Sequence, residues 1–128
     1  GIHLCNVERN GDVVEMTSYA PLLCKNGYSN WNPDMIYFDN SEKIRLTESY
    51  KMQKMFGQHA GDIYIASELN LPVALKRYVG TSVVKDSKTG KTWLKVVNAL
   101  PRTLKLQVNG LGSKAVEVKA RSSQVFEL

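Results

Sequence analysis

The chain has 128 residues, 43% of them hydrophobic and 23% charged, with 17 lysines and arginines against 12 acids for a formal charge of +5. That length and balance fit one globular domain with an adequate core and exclude a disordered chain. No run approaches the roughly 20 apolar residues of a membrane-spanning helix, and Lys85, Lys88, Lys91, Lys95, Lys105, Lys114 and Lys119 are dispersed rather than gathered in a stripe, so neither a membrane nor nucleic acid is expected as a partner.

The first 25 residues read differently from the rest. Ile2, Leu4, Cys5 and Val7, then Val13, Val14 and Met16, follow helical spacing interrupted at Asn10-Gly11. Asp12 is placed to cap a second helical turn. Ala20 to Cys24 resembles a short apolar strand. The opening carries neither the basic region nor the cleavage pattern of a signal peptide. It is more apolar than so short a chain requires, which predicts that it packs against something larger.

Residues 26–41 are rich in turn formers around Asn26-Gly27 and Trp31-Asn32-Pro33-Asp34, and Ile36 to Phe38 follows as a buried strand. The strongest helix spans residues 47–59. Thr47 is its N-cap, Glu48 suits the first turn, and Tyr50, Met52, Met55 and Phe56 share one broad face. Gly57 and Gly61 lie around its C-terminal end.

From Asp62 onward the period becomes two. Ile63 and Ile65 alternate, and Val73, Leu75 and Arg77 continue the pattern as an expected strand. Residues 82–85 and 92–97 flank Asp86-Ser87-Lys88-Thr89-Gly90, a hairpin signature. Leu104, Leu106 and Val108 alternate with polar residues, Asn109-Gly110 marks a turn, Val116 and Val118 repeat the alternation, and a last strand runs over residues 123–128. Short strands with turns every 8 to 12 residues predict a mainly β fold, an antiparallel sandwich or jelly roll with one or two helices.

Chemistry is sparse. Cys5 and Cys24 have no CxxC or histidine cluster beside them, so no metal site is expected, since a structural zinc takes about four ligands. Two buried thiols are favoured over a disulfide, though spacing leaves pairing open. His3 and His59 stand apart, and no GxSxG, HExxH, P-loop or GxGxxG pattern appears, so no cofactor is expected. Glu8, Asp12, Glu15, Asp34, Asp39 and Glu42 are the candidate acids, but helical-turn spacing among the first three usually means surface charge or capping. Trp31 has two readings: an exposed ring stacking on a sugar while Asn32 hydrogen-bonds hydroxyls, or a ring buried between sheet and helix. Residue type alone favours burial. Trp93, inside a regular strand, is expected to serve packing.

Four stretches carry a resemblance. Residues 7–23, Val7-Glu8-Arg9-Asn10-Gly11-Asp12-Val13-Val14 through Ser18-Tyr19-Ala20-Pro21-Leu22-Leu23, resemble the ERNxDVVxMASYAPLF segment of α-L-arabinofuranosidases of glycoside hydrolase family fifty-one. Trp31 to Asn40 resembles that family's WNPDLIxFDN, Ser49 to Phe56 its SYYVQKLF, and Lys88 to Asn98 its KTGxxxLKVVN. Leu23-Cys24 departs from the Leu-Phe often found there, a change of packing only. The resemblance implies a retaining, exo-acting enzyme of plant polysaccharides, with a catalytic (β/α)₈ barrel followed by a jelly-roll domain. Such a barrel takes about 250 residues, so residues 1–25 would be its end and residues 26–128 the C-terminal β-sandwich domain. Both catalytic glutamates of the family precede the first matching stretch, so none is expected in this chain, and Glu8 and Glu15 match neither. The implied partners are the barrel of the same parent protein, an arabinose-containing polysaccharide or oligosaccharide, and further copies in a homo-oligomer. Trp31 and Asn32 would border the sugar site. The reading from a different class is a stand-alone carbohydrate-binding module.

Overall fold

The alternating residues on either side of the Asp86–Gly90 turn form the centre of the fold. In the computed structural model, which describes residues 1–128, nine strands and three helices follow in the order α1 (Ile2–Arg9), β1 (Leu23–Lys25), β2 (Ile36–Phe38), β3 (Ile44–Leu46), α2 (Glu48–Gln58), β4 (Ile63–Tyr64), α3 (Val73–Lys76), β5 (Val79–Lys85), β6 (Thr92–Asn98), β7 (Leu104–Asn109), β8 (Ser113–Val118) and β9 (Ser122–Glu127). The fold is mainly β, as the periodicity predicts. An antiparallel sheet of order β4-β5-β6-β9 faces the β7–β8 hairpin, and a separate three-stranded sheet has the order β1-β2-β3.

The Asp86–Gly90 turn closes as its residue types require. Asp86 accepts from the Lys88 amide at 3.0 Å and the Thr89 hydroxyl at 2.6 Å, and Gly90 takes the positive φ of 75° that glycine adopts without penalty. The register Val79↔Asn98 to Lys85↔Thr92 then sends alternate side chains to opposite faces.

One face makes the sandwich core. Val79, Val83, Leu94 and Val96 meet Leu100, Leu104, Val116 and Val118 in a cluster whose members are at most 8% exposed. Each such side chain contributes about 1.5–3 kcal/mol relative to exposure. Asn98 is buried at the rim of this core. Its Nδ2 lies 2.9–3.1 Å from the carbonyls of Arg102, Val118 and Lys119, and its Oδ1 accepts from the Leu100 amide. Its carboxamide thus ties the end of β6 to the chain on both sides of the β7–β8 hairpin.

The other face of the same sheet receives α1 and α2. Gly80 lets α1 approach: a Cβ there would stand 3.0 Å from the Ile2 Cα and 3.2 Å from the Cys5 Sγ. Cys5, Phe56 and Val97 form a second small core, flanked by Ile2, Leu4, Met52 and Met55. Across this contact runs a polar seam. Lys95 of β6, fully buried, pairs with Glu8 of α1, and the Ser82 hydroxyl of β5 donates to the second carboxylate oxygen at 2.5 Å. The Lys95 ammonium also lies 4.9 Å from the Phe56 ring centre. Arg9 donates to the carbonyls of Ser67 at 3.0 Å and Thr81 at 3.2 Å. Burial pushes the Cys5 thiol up from 9.0 to about 11, with a hydrogen bond to Ser82 opposing the rise.

Other expectations fare unevenly. Helix α2 begins as read, with the Thr47 hydroxyl accepting from the Tyr50 amide. Cys5 and Cys24 are both free and buried. Trp93 packs edge-on against His59, ring centres 4.8 Å apart. The second helical turn over Val13–Met16 does not form. Asn10 closes α1 by donating from its side chain to the Asn6 carbonyl, the chain then makes a turn, and Val13 and Met16 are 74% and 85% exposed. Asp12 therefore starts no helix. The expected strand at Val73–Arg77 is instead the short helix α3, because Pro72, with φ fixed near −50°, starts a turn in which the Leu75 and Lys76 amides return to its carbonyl. The β1–β2 pair is parallel, a departure from the otherwise antiparallel pattern.

Candidate functional site

The loop between β1 and β2 is held at both ends by the backbone. The Asn26 amide bonds the Phe38 carbonyl at 2.8 Å and the Met35 amide bonds that of Pro21 at 3.2 Å. Thr47 clamps the same point from the next segment, its hydroxyl donating to the Met35 carbonyl at 2.7 Å. Asp34 and Met35 are consequently buried.

Inside the loop the polar side chains partner one another. The Ser29 hydroxyl lies 3.0 Å from Asp34 Oδ2 and 2.6 Å from the Trp31 carbonyl, and accepts from the Trp31 amide at 3.0 Å. The Tyr37 hydroxyl accepts from the Asp34 amide at 2.8 Å and donates to Asn32 Oδ1 at 2.9 Å. The guanidinium of Arg45, opposite Tyr37 in the β2–β3 register, sits 4.0 Å from the Tyr37 ring centre, a cation–π contact. Asp34 Oδ1 is buried with no hydrogen-bond partner in this chain. Just beyond β2, hydrogen bonds from the Ser41 hydroxyl and then its amide hold the Asp39 carboxyl below its ordinary value.

Trp31 lies on this framework and is 72% exposed. Burial between sheet and helix, which residue type favours, does not occur, and the consecutive residues Trp31 and Asn32 are both exposed at the surface. An exposed indole beside a fixed polar group can cover an apolar face of a ligand while a hydrogen bond sets its orientation. Sequence reasoning named Trp31 and Asn32 but missed Tyr37, Arg45 and the burial of Asp34. The signal for Asp34 was its place between a proline and an apolar strand, where an acid must find partners within the loop.

Two further surfaces stand out. The β1–β3 sheet exposes Leu23, Phe38, Ile44 and Leu46, with Leu22 beside it. A cleft of about 780 Å³ runs between residues 65–71 and β7, with Val83 and Leu94 among its lining. No group of three or more histidine, cysteine or acidic side chains is placed to hold a metal ion.

These features define the class: a mainly β domain carrying an α/β appendage and an exposed aromatic loop. The family described as the α-L-arabinofuranosidase C-terminal domain matches residues 1–125, and the chain belongs to that family. α-L-Arabinofuranosidase 1 of Arabidopsis thaliana is 31% identical over 127 residues, a match covering 96% of this chain and 18% of that protein. The extracellular exo-α-L-arabinofuranosidase of Streptomyces chartreusis is 38% identical over 65 residues, covering 51% of this chain and 8% of that protein. Among solved structures, the arabinose-bound MgGH51 α-L-arabinofuranosidase superposes with a TM-score of 0.71 at 23% identity, covering 97% of this chain and 24% of that one. The chain thus spans less than a quarter of the length of these relatives.

Proposed function

We propose that this chain is the supporting C-terminal part of an exo-acting α-L-arabinofuranosidase that removes terminal arabinofuranosyl residues from plant polysaccharides. The barrel of the parent protein supplies the catalytic carboxylates. In this reading residues 1–25 are the end of that barrel, residues 26–128 are the accessory domain, and Glu8 with Lys95 joins the two. The apolar surface formed by Leu22, Leu23, Phe38, Ile44 and Leu46 is the kind of face that a neighbouring domain covers.

The observation that carries the sugar-site reading is the 72% exposure of Trp31 on a loop whose neighbouring polar groups are held. A large aromatic left in solvent beside an ordered carboxamide suits the face of a sugar ring. Trp31→Ala in the whole arabinofuranosidase is expected to raise KM for an arabinofuranoside about tenfold or more, in line with the loss of a well-formed aromatic contact. An unchanged KM would remove the loop from the sugar site. The same exposed indole supports the second reading, a carbohydrate-binding module that works alone. That reading requires the 128-residue chain to bind arabinoxylan by itself, with binding lost in Trp31→Ala.

A further inference from the structure

The direction of the hydrogen bonds under Trp31 determines which end of the Asn32 side chain is offered outward. A tyrosine hydroxyl has one hydrogen. That of Tyr37 accepts the Asp34 amide at 2.8 Å, and its own hydrogen has Asn32 within reach, at 2.9 Å, and no other acceptor. The residue is 8% exposed, so leaving that hydrogen unused would be costly. The atom facing it must be an acceptor, which turns Asn32 Oδ1 inward. Asn32 Nδ2 then points the other way with both hydrogens unclaimed within the chain, on the residue that follows the exposed Trp31. Arg45, 4.0 Å from the Tyr37 ring centre, keeps that ring from swinging aside.

We propose that Tyr37 is a positioning residue that makes Asn32 a pure hydrogen-bond donor, so that the Trp31–Asn32 loop selects a sugar by one acceptor oxygen set over the carboxamide nitrogen. The ring face beside that oxygen lies against the indole. The inference rests on the sugar-site reading above and goes further, because it names the atom, the polarity of the bond and the residue that sets it. A ligand with only a donor at that point meets a donor and is rejected.

The test uses the whole arabinofuranosidase with 4-nitrophenyl α-L-arabinofuranoside as substrate and three variants. Asn32→Asp retains an acceptor for Tyr37 but has no donor to offer, and is expected to raise KM about tenfold while kcat stays within about twofold, the size of one lost hydrogen bond or somewhat more. Tyr37→Phe frees the carboxamide to flip and is expected to raise KM about threefold to fivefold, again with little change in kcat. Trp31→Ala reports on the loop itself. A raised KM for Trp31→Ala with wild-type values for Asn32→Asp would leave the loop at the sugar and overturn the inference. Wild-type values for all three would overturn both. Should Tyr37→Phe unfold, the exposed Asn32→Asp decides alone, with an unchanged melting temperature showing that its effect lies in binding.

Discussion

Glu8 and Lys95 are 87 residues apart in the chain and form an ion pair between α1 and the middle of β6, with the Lys95 ammonium fully buried. A buried ammonium without its carboxylate is among the most destabilising changes available to a small domain. Glu8→Ala is therefore expected to lower stability by about 3–5 kcal/mol. The double variant Glu8→Gln with Lys95→Met, which removes both charges and keeps the volume, is expected to recover most of that loss. Urea unfolding monitored by circular dichroism checks both. A Glu8→Ala cost below about 1 kcal/mol would mean that water reaches the ammonium, contrary to its burial.

Cys5 should behave as an inert thiol. Its folded-state value of about 11 lies above the ordinary 9.0 because burial disfavours the thiolate. A raised value means that its contribution to stability is complete below about pH 9 and is lost as pH rises through 11. Labelling by a thiol reagent at pH 8 is expected to be slow in the native state and fast in urea. Comparing the pH dependence of stability of wild type and Cys5→Ala between pH 8 and 11 isolates this residue from other groups that titrate there. Parallel curves would contradict the assignment.

The acid side involves the β5–β6 hairpin. Hydrogen bonds from Ser87 hold Asp62 below 3.8, and hydrogen bonds first from Thr89 and then from the Lys88 amide do the same for Asp86. Lowered values mean that the stabilisation is present above pH 3.8 and disappears as pH falls through the folded-state values. Amide exchange of residues 86–91 is expected to quicken below pH 3.8 relative to β6, after correction for intrinsic rates. Asp86→Asn should shift that dependence, and an unchanged profile would count against the carboxylates as the cause.

The exposed apolar sheet gives a prediction about association. Leu23 and Ile44, 60% and 66% exposed on β1 and β3, belong to a surface larger than scattered single residues. The isolated chain is expected to self-associate at high concentration, seen by light scattering. Leu23→Lys with Ile44→Glu should restore a monomer with little change in stability, since neither side chain is buried. A clean wild-type monomer at high concentration would show that this face needs no cover.

Periodicity made the second half of the fold legible. Strict alternation in Leu104–Asn109 and the Asp86–Gly90 turn specify strand and hairpin through local rules alone, and β5–β8 follow them. Residues 73–77 show where such rules stop: Val73 and Leu75 alternate as in a strand, but Pro72 favours the start of a turn, and the backbone at one residue outweighs the pattern. At the site, residue type could not decide Trp31. Its exposure depends on whether a sheet or helix covers the loop, which is a tertiary fact. Tyr37 and Arg45 read only as a strand residue and a charge, because their pairing is set by the β2–β3 register across an intervening turn. Lys95 shows the same limit. Its letter sits in a regular β alternation as a solvated face would, yet α1 and Phe56 of α2, both distant in the chain, cover it completely.

The two-faced character of β6 has a consequence for the order of folding. One row of its side chains enters the sandwich core, and the other meets α1 and α2. The β5–β6 hairpin closes over a five-residue turn of good local propensity, whereas α1 can dock only on a surface that the hairpin has already made, with some 70 to 90 residues of chain between them. Short closures precede long ones. The hairpin is therefore expected in the early nucleus and α1 is expected to attach late, bringing its charge to the Lys95 ammonium. Substitutions in the hairpin should slow refolding, while those at Glu8 should mainly quicken unfolding.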